Sequence, residues 1–200
     1  MVLNIGRQLG SGGREIAKRI AQDLNMKYLD KELILLAAKE SGIASEMFEK
    51  ADECTQLTGG FWGFHLPWLS SLPFSSGLTN DCLFQIQSEV ITKEATQHDC
   101  VFVGRCADYI LRQRKDCLNV FISADENDRI QRLQAHLNIK EDEARNLIEK
   151  IDKQRAAYYN FYTNKTWGDA ASYHLCLNSS VLGIDKSCEI IKQFITQWKE

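Results

Sequence analysis

The chain has 200 residues, 44% of them hydrophobic and 26% charged, values that suit one globular domain. A formal net charge of −3 provides no basic footprint for nucleic acid or for an anionic membrane. The opening MVLNIGRQ lacks the basic and apolar blocks of a secretory leader, and no 18 consecutive residues are apolar. A cytoplasmic protein with no membrane span and no nucleic-acid partner is therefore expected.

In chain order, Val2–Ile5 reads as a strand, and Ile16, Ala17, Ile20, Ala21 and Leu24 recur at helical spacing from Gly12 onward. Lys27–Leu29 is a short apolar run leading into a helix from about Lys31 to Glu40. Residues 54–80 break the pattern: they carry no Asp, Glu, Lys or Arg, but hold both prolines and Phe61, Trp62, Phe64, Trp68 and Phe74. Such a stretch is a lid, a binding loop or a contact surface, or its aromatics pack back onto their own domain. Val101–Val103 and Leu118–Ile122 are further strands. Ser123 and Glu126 have the spacing of a capping box for the next helix. Tyr173–Leu177 is the last strand, and Ile184–Trp198 closes the chain as an amphipathic helix. Strands alternating with helices predict a parallel sheet covered on both faces.

The seven cysteines are odd in number and never form C-x-x-C, which predicts reduced thiols; Cys100, Cys117 and Cys176 fall at or within apolar strand-like runs as small hydrophobes. His65, His98, His136 and His174 are scattered without metal-ligand spacing and read as structural or exposed.

Residues 4–21, NIGRQLGSGGREIAKRIA, have the outline of a phosphate-binding loop between a first strand and a helix. Such a loop holds phosphates on backbone N–H groups and the helix N-terminus, with a lysine on the β/γ oxygens and a hydroxyl on Mg²⁺. Here five residues, not four, separate Gly6 from Gly12, and Gly13-Arg14-Glu15 stands where Gly-Lys-Ser/Thr belongs. Arg14 is the natural substitute for the lysine, since its guanidinium forks two phosphate oxygens. Ser11 lies near the place of the missing hydroxyl. On the 141–162 helix, Ala144, Leu147, Ile148, Ile151, Tyr158, Tyr159 and Tyr162 share one arc. Arg155 projects from the middle of that arc, with Asp152 at its border. A guanidinium on an apolar face needs an ion pair or a bound anion.

The run GRQLGSGGREIAKRIAQDLNMKYLDKELI, with VFVGRCADYIL (101–111), DKQRAAYYNFYTNKTWGD (152–169) and YHLCLNSSVLGID (173–185), resembles the cytidylate kinase-like family of bacterial P-loop proteins. The resemblance implies an α/β, three-layer P-loop NTPase fold: a parallel sheet flanked by helices, with a helical lid at about 140–170. It implies one domain over 1–200 with an NMP-binding-type insert at about 54–80. It also implies ATP and Mg²⁺ as cofactors and a nucleoside monophosphate acceptor, CMP or dCMP by default. The donor triphosphate would lie on Gly6, Arg7, Gly10, Ser11, Gly12, Gly13, Arg14 and Glu15, with Asn178 at the adenine. Asp30, Arg105 and Arg129 would serve the acceptor, and Arg14, Asp152 and Arg155 the transfer itself; the metal ligands are left unassigned. Lys31, Leu36, Val103 and Ile148 depart from the CMP kinase pattern. Two other readings stay open: a nucleotide-binding regulator without turnover, and a kinase for another small phosphate acceptor. The 54–80 segment is the candidate surface for a homodimer.

Overall fold

The computed structural model describes residues 1–31, 33, 34, 37 and 80–198. The aromatic 54–80 segment, with its predicted dimer surface, lies almost wholly outside the described residues, as does most of the helix expected over 31–40.

Five strands form one parallel sheet in the order β2-β3-β1-β4-β5. They are β1 (Val2–Arg7), β2 (Lys27–Leu29), β3 (Cys100–Val103), β4 (Cys117–Ser123) and β5 (Leu175–Asn178). The helices are α1 (Gly13–Asp23), α2 (Asn80–Gln97), α3 (Ala107–Ile110), α4 (Glu126–Leu137), α5 (Glu141–Thr163) and α6 (Ser179–Trp198). A central strand buried on both faces reads as continuous apolar sequence; CVFV does so, and VLNI does apart from the buried Asn4, whose amide donates to Asn119 Oδ1 at 2.8 Å.

The pleat divides those side chains between two cores. Leu3, Ile5, Val101 and Val103 face α1 and α6, where Ile16, Ile20, Ile191 and Ile195 are buried. Val2, Cys100 and Phe102 face α2 and α3, against Ile86, Val90, Ile91 and Ala107. Truncating fully buried Ile16 or Ile20 to alanine costs about 2–5 kcal/mol. A third, smaller cluster joins α4 to α5 through Ile130, Leu133, Ala144 and Ile148, with Leu9 of the glycine loop packed against it. The three-layer α/β/α order follows.

Two local expectations are corrected and a third is extended. Ser123 does not cap α4: it pairs with Asn178 in the β4–β5 ladder, and its hydroxyl donates to the Leu177 carbonyl at 3.2 Å, so the cap position falls to Asp125. Cys100 and Cys117 are buried thiols, but Cys176, on the edge strand β5, is exposed. The closing helix begins at Ser179 and breaks at Gly183 (φ 72°, ψ 172°); the amphipathic stretch read from Ile184 is its second part.

Candidate functional site

The loop after β1 turns on glycines. Gly10 and Gly12 have φ of 76° and 77°, a region costly for L side chains. Gly12 also stands at the N-cap of α1 without a side-chain cap, which leaves first-turn N–H groups to be satisfied by an anion or water. At the other side of the cleft, Gly104, Arg105 and Cys106 follow β3 with φ of 74°, 63° and 57°. Two successive non-glycine residues in the left-handed region store strain of about 1–2 kcal/mol each. That turn lifts Arg105 out from the carboxyl end of β3, where open α/β sheets receive ligands.

A cavity of about 780 Å³ lies between these two loops and the inner face of α5. Seven arginine and lysine side chains reach its wall, against the three carboxylates Glu15, Asp30 and Asp108. Arg105 is held without neutralisation: its Nε donates to Gln87 Oε1 at 2.8 Å, and the guanidinium carbon lies 4.2 Å from the centre of the Tyr158 ring. Gln87 is fully buried on α2 and also accepts from the Tyr158 hydroxyl at 3.3 Å. Neither Gln87 nor Tyr158 was legible as a site residue. Tyr158 reads as part of the apolar arc of α5, no reading singled out Gln87, and both gain their meaning from Arg105.

Arg14 lines the cavity, and its guanidinium turns to the buried Asp30, with Nη2 2.7 Å from Oδ2. Asp30 also accepts from the Tyr28 hydroxyl at 3.0 Å and from Leu33 N–H at 3.2 Å, so it caps the turn after β2. This hydrogen bonding from Tyr28 and Asp30 pushes the Arg14 guanidinium well above the usual arginine value. Ser11 is fully buried, and its hydroxyl donates to the Gln8 carbonyl at 2.9 Å. Asn178 accepts from Ser180 N–H at 2.8 Å and donates to Asp125 at 3.0 Å, the geometry of a helix cap. Neither Ser11 nor Asn178 is on the cavity wall, whereas Gly6, Arg7, Gly10, Gly12, Gly13 and Glu15 are.

Asp152 organises the other wall. Its carboxylate accepts from Leu9 N–H at 2.8 Å, pairs with Arg129, and lies 3.5 Å from Arg155 Nη1. Arg129 is 7% exposed rather than solvated, and its Nε donates to the Leu9 carbonyl at 2.7 Å. Both groups therefore clamp the glycine loop to α4 and α5. Asp152 and Arg155 pair, but Asp152's tighter partner is Arg129, across 23 residues of sequence. Arg155 projects into the cavity as its helical position predicts and donates to the Arg7 carbonyl at 3.1 Å. Burial lowers its affinity for the proton. Arg132, missed from sequence, bridges Gly10 O (3.1 Å) and Ser179 Oγ (3.2 Å). Asp108 accepts from the Tyr159 hydroxyl at 2.7 Å, and burial raises its carboxyl above the usual range. Among the described residues, no group of three or more His, Cys, Asp or Glu side chains could hold a metal ion, and no helix is long and apolar enough to cross a membrane.

The strand order, the glycine turn into α1 and the cationic cleft beyond β1 and β3 define a P-loop NTPase fold of the kinase type. The cytidylate kinase-like family matches residues 2–181, and the chain belongs to that family. A crystal structure of an uncharacterised protein from Eubacterium ventriosum shares 27% identity, with a TM-score of 0.74 and 98% of each chain covered. Shikimate kinase from Bacteroides thetaiotaomicron has 12% identity, a TM-score of 0.54 and 98% of each chain covered. Shikimate kinase from Acinetobacter baumannii, in complex with shikimate, has 13% identity and a TM-score of 0.52, with 98% of this chain and 92% of that one covered. At those identities the shikimate kinases bear on the fold. No curated protein matches the sequence.

Proposed function

We propose that this protein transfers the γ-phosphoryl group of ATP to a nucleoside monophosphate, with CMP or dCMP as the default acceptor. The observation that carries this reading is the cleft between the glycine loop and Arg105, where cations outnumber carboxylates seven to three. Phosphoryl transfer asks a protein mainly for positioning and charge neutralisation, and this wall supplies both. The donor triphosphate would lie over residues 6–15 at the start of α1. The acceptor phosphate would meet the two Nη groups of Arg105, with Asp30 at the mouth of the acceptor side. Arg155, aimed by Asp152, would neutralise charge between them, and Arg129 would act through Asp152. In the reaction an acceptor phosphate oxygen bonds to the γ phosphorus while the β,γ-bridging bond breaks, its electron pair leaving on ADP. Mg²⁺ would supply further neutralisation on the phosphate oxygens; the described residues offer it no ligand cluster, and no step here depends on it.

The whole chain would act as one domain, with α5 as the core of the lid and residues 54–80 as the insert. A cytoplasmic setting and nucleotide ligands, without nucleic acid, go with this reading. One observation favours a second reading, a nucleotide-binding regulator without turnover: Arg14 is engaged by Asp30. Measuring ADP release with each nucleoside monophosphate in turn separates the two. ATP binding without ADP release under any acceptor would favour the regulator. Deleting Gly59–Ser76 tests the insert, and an unchanged sedimentation size with unchanged activity would remove it from both acceptor site and dimer.

A further inference from the structure

The glycine loop lacks its lysine, and the residue standing in the expected place is paired elsewhere. A second arginine in the same loop has a different environment. Arg7 is the last residue of β1, at no position where the loop pattern asks for a cation. Its side chain runs across two glycines, one on each side of the cleft. An ideal Cβ at Gly13, the first residue of α1, would lie 2.6 Å from Arg7 Cβ and 3.1 Å from its Cγ. A Cβ at Gly104, after β3, would lie 2.2 Å from Arg7 Nη1. Side chains at either place would displace Arg7, so the two loops are both cut back around it. Its guanidinium thus spans from the donor loop to the turn that carries Arg105.

The charge of Arg7 is only partly balanced by the described residues. Among the described residues no carboxylate forms an ion pair with it, since Asp30 pairs with Arg14 and Asp152 with Arg129 and Arg155. Burial, and then the neighbouring Arg155 and Arg105, push Arg7 well below the usual arginine value, with Tyr28 and Asp30 offsetting part of this. A cation held in a cleft against like charges favours an anion supplied from outside.

We propose that Arg7 is the phosphate-binding cation of this loop, in the role a lysine has elsewhere, and that it holds the γ-phosphoryl group on its way from ATP to the acceptor at Arg105. This rests on the kinase reading above. The planar fork of Arg7 would grip two γ oxygens as the new bond forms to the acceptor oxygen and the β,γ-bridging bond breaks toward ADP. A phosphate dianion acceptor has no proton to lose, so no general base is needed in this step.

Calorimetric titration of the full-length protein with ATP, AMP and inorganic tripolyphosphate tests the proposal, with Arg7→Met, Arg7→Lys and Arg14→Gln beside the parent. Arg7→Met should weaken ATP and tripolyphosphate about 10- to 100-fold, the worth of a charge-assisted hydrogen-bonded contact, with little change for AMP. Arg7→Lys should fall between Arg7→Met and the parent, and Arg14→Gln should weaken ATP less than Arg7→Met. The thermal midpoint of free Arg7→Met should stay level or rise, because an unbalanced cation has been removed. A lowered midpoint with unchanged ATP affinity would make Arg7 structural and overturn the proposal. ATP binding by the parent that is matched by Arg7→Met and Arg7→Lys would also overturn it while leaving the kinase reading intact. Tripolyphosphate binding that needs Arg7, with no ATP binding by the parent, would keep the Arg7 site and sink the nucleotide reading. Binding of neither ligand by the parent would end both.

Discussion

Arg7 and Arg14 lie seven residues apart in one loop, yet the fold treats their charges in opposite ways. Arg14, 59% exposed at its side chain, has Asp30 at 2.7 Å and is pushed up. Arg7 sits deeper, beside Arg155 and Arg105, and is pushed down. A cation that the protein neutralises itself belongs to the scaffold, and its loss costs stability. A cation left beside other cations lowers the stability of the free protein and is retained for what it binds. The same contrast separates Arg129, closed onto Asp152 and the Leu9 carbonyl, from Arg105, which leans on a neutral amide and an aromatic face.

The strongest way to break this comparison is at the neutralised end. Asp152→Ala strands the buried Arg129 guanidinium and the Leu9 N–H together. Removing one partner of a buried pair costs about 3–5 kcal/mol, and a loss of that size lowers the midpoint by roughly 10 °C in a chain of this length. A thermal scan showing less than about 1 kcal/mol of loss would mean that Asp152 is no clamp. Next in size is Arg155→Lys, which keeps the charge and loses the fork. Turnover should drop about 100-fold, as when an oxyanion-stabilising donor is removed, while the midpoint moves little. Unaltered turnover, or a protein that unfolds, would return Arg155 to a purely structural place.

Gly104→Ala sharpens the contrast from the unneutralised side. Its Cβ would collide with Arg7 Nη1, and φ of 74° adds strain of about 1–2 kcal/mol. ATP affinity should fall together with stability, and adding Arg7→Met in that background should cause little further loss of affinity. Independent, fully additive losses of affinity would show that Gly104 does not act through Arg7. The smallest effect belongs to Arg14→Gln, whose half-exposed ion pair should change stability by less than about 1 kcal/mol in chemical denaturation. A larger loss would place Arg14 with Arg129 as part of the clamp.

Local pattern carried most of the fold. Leu3 and Ile5, Val101 and Val103, and Leu118, Val120 and Ile122 share one core; α1, α5 and the second part of α6 could be read from their apolar spacing, and the parallel sheet from the alternation of strands and helices, whereas α2 could not. The misread places are those where a long-range partner competes with a local one. Ser123 has capping-box spacing but spends its hydroxyl on β5. Cys176 has strand hydrophobicity but falls on an open edge. Arg155 was legible because a cation on an apolar stripe is an anomaly within one helix. Arg132, Gln87 and Tyr158 were not, since each looks ordinary on its own helix and matters through residues 47 to 122 positions away.

The spacing of glycines in GRQLGSGGRE was enough to specify a glycine turn leading into a helix N-terminus, because φ restrictions and helix N-termini are local matters. Which of its arginines carries free charge was decided by tertiary structure. Pairing depends on distance across the fold: β2 brings Asp30 to Arg14, while α5 and the turn after β3 bring Arg155 and Arg105 to Arg7. Electrostatic energy at a few ångströms inside a protein outweighs any preference encoded along the chain.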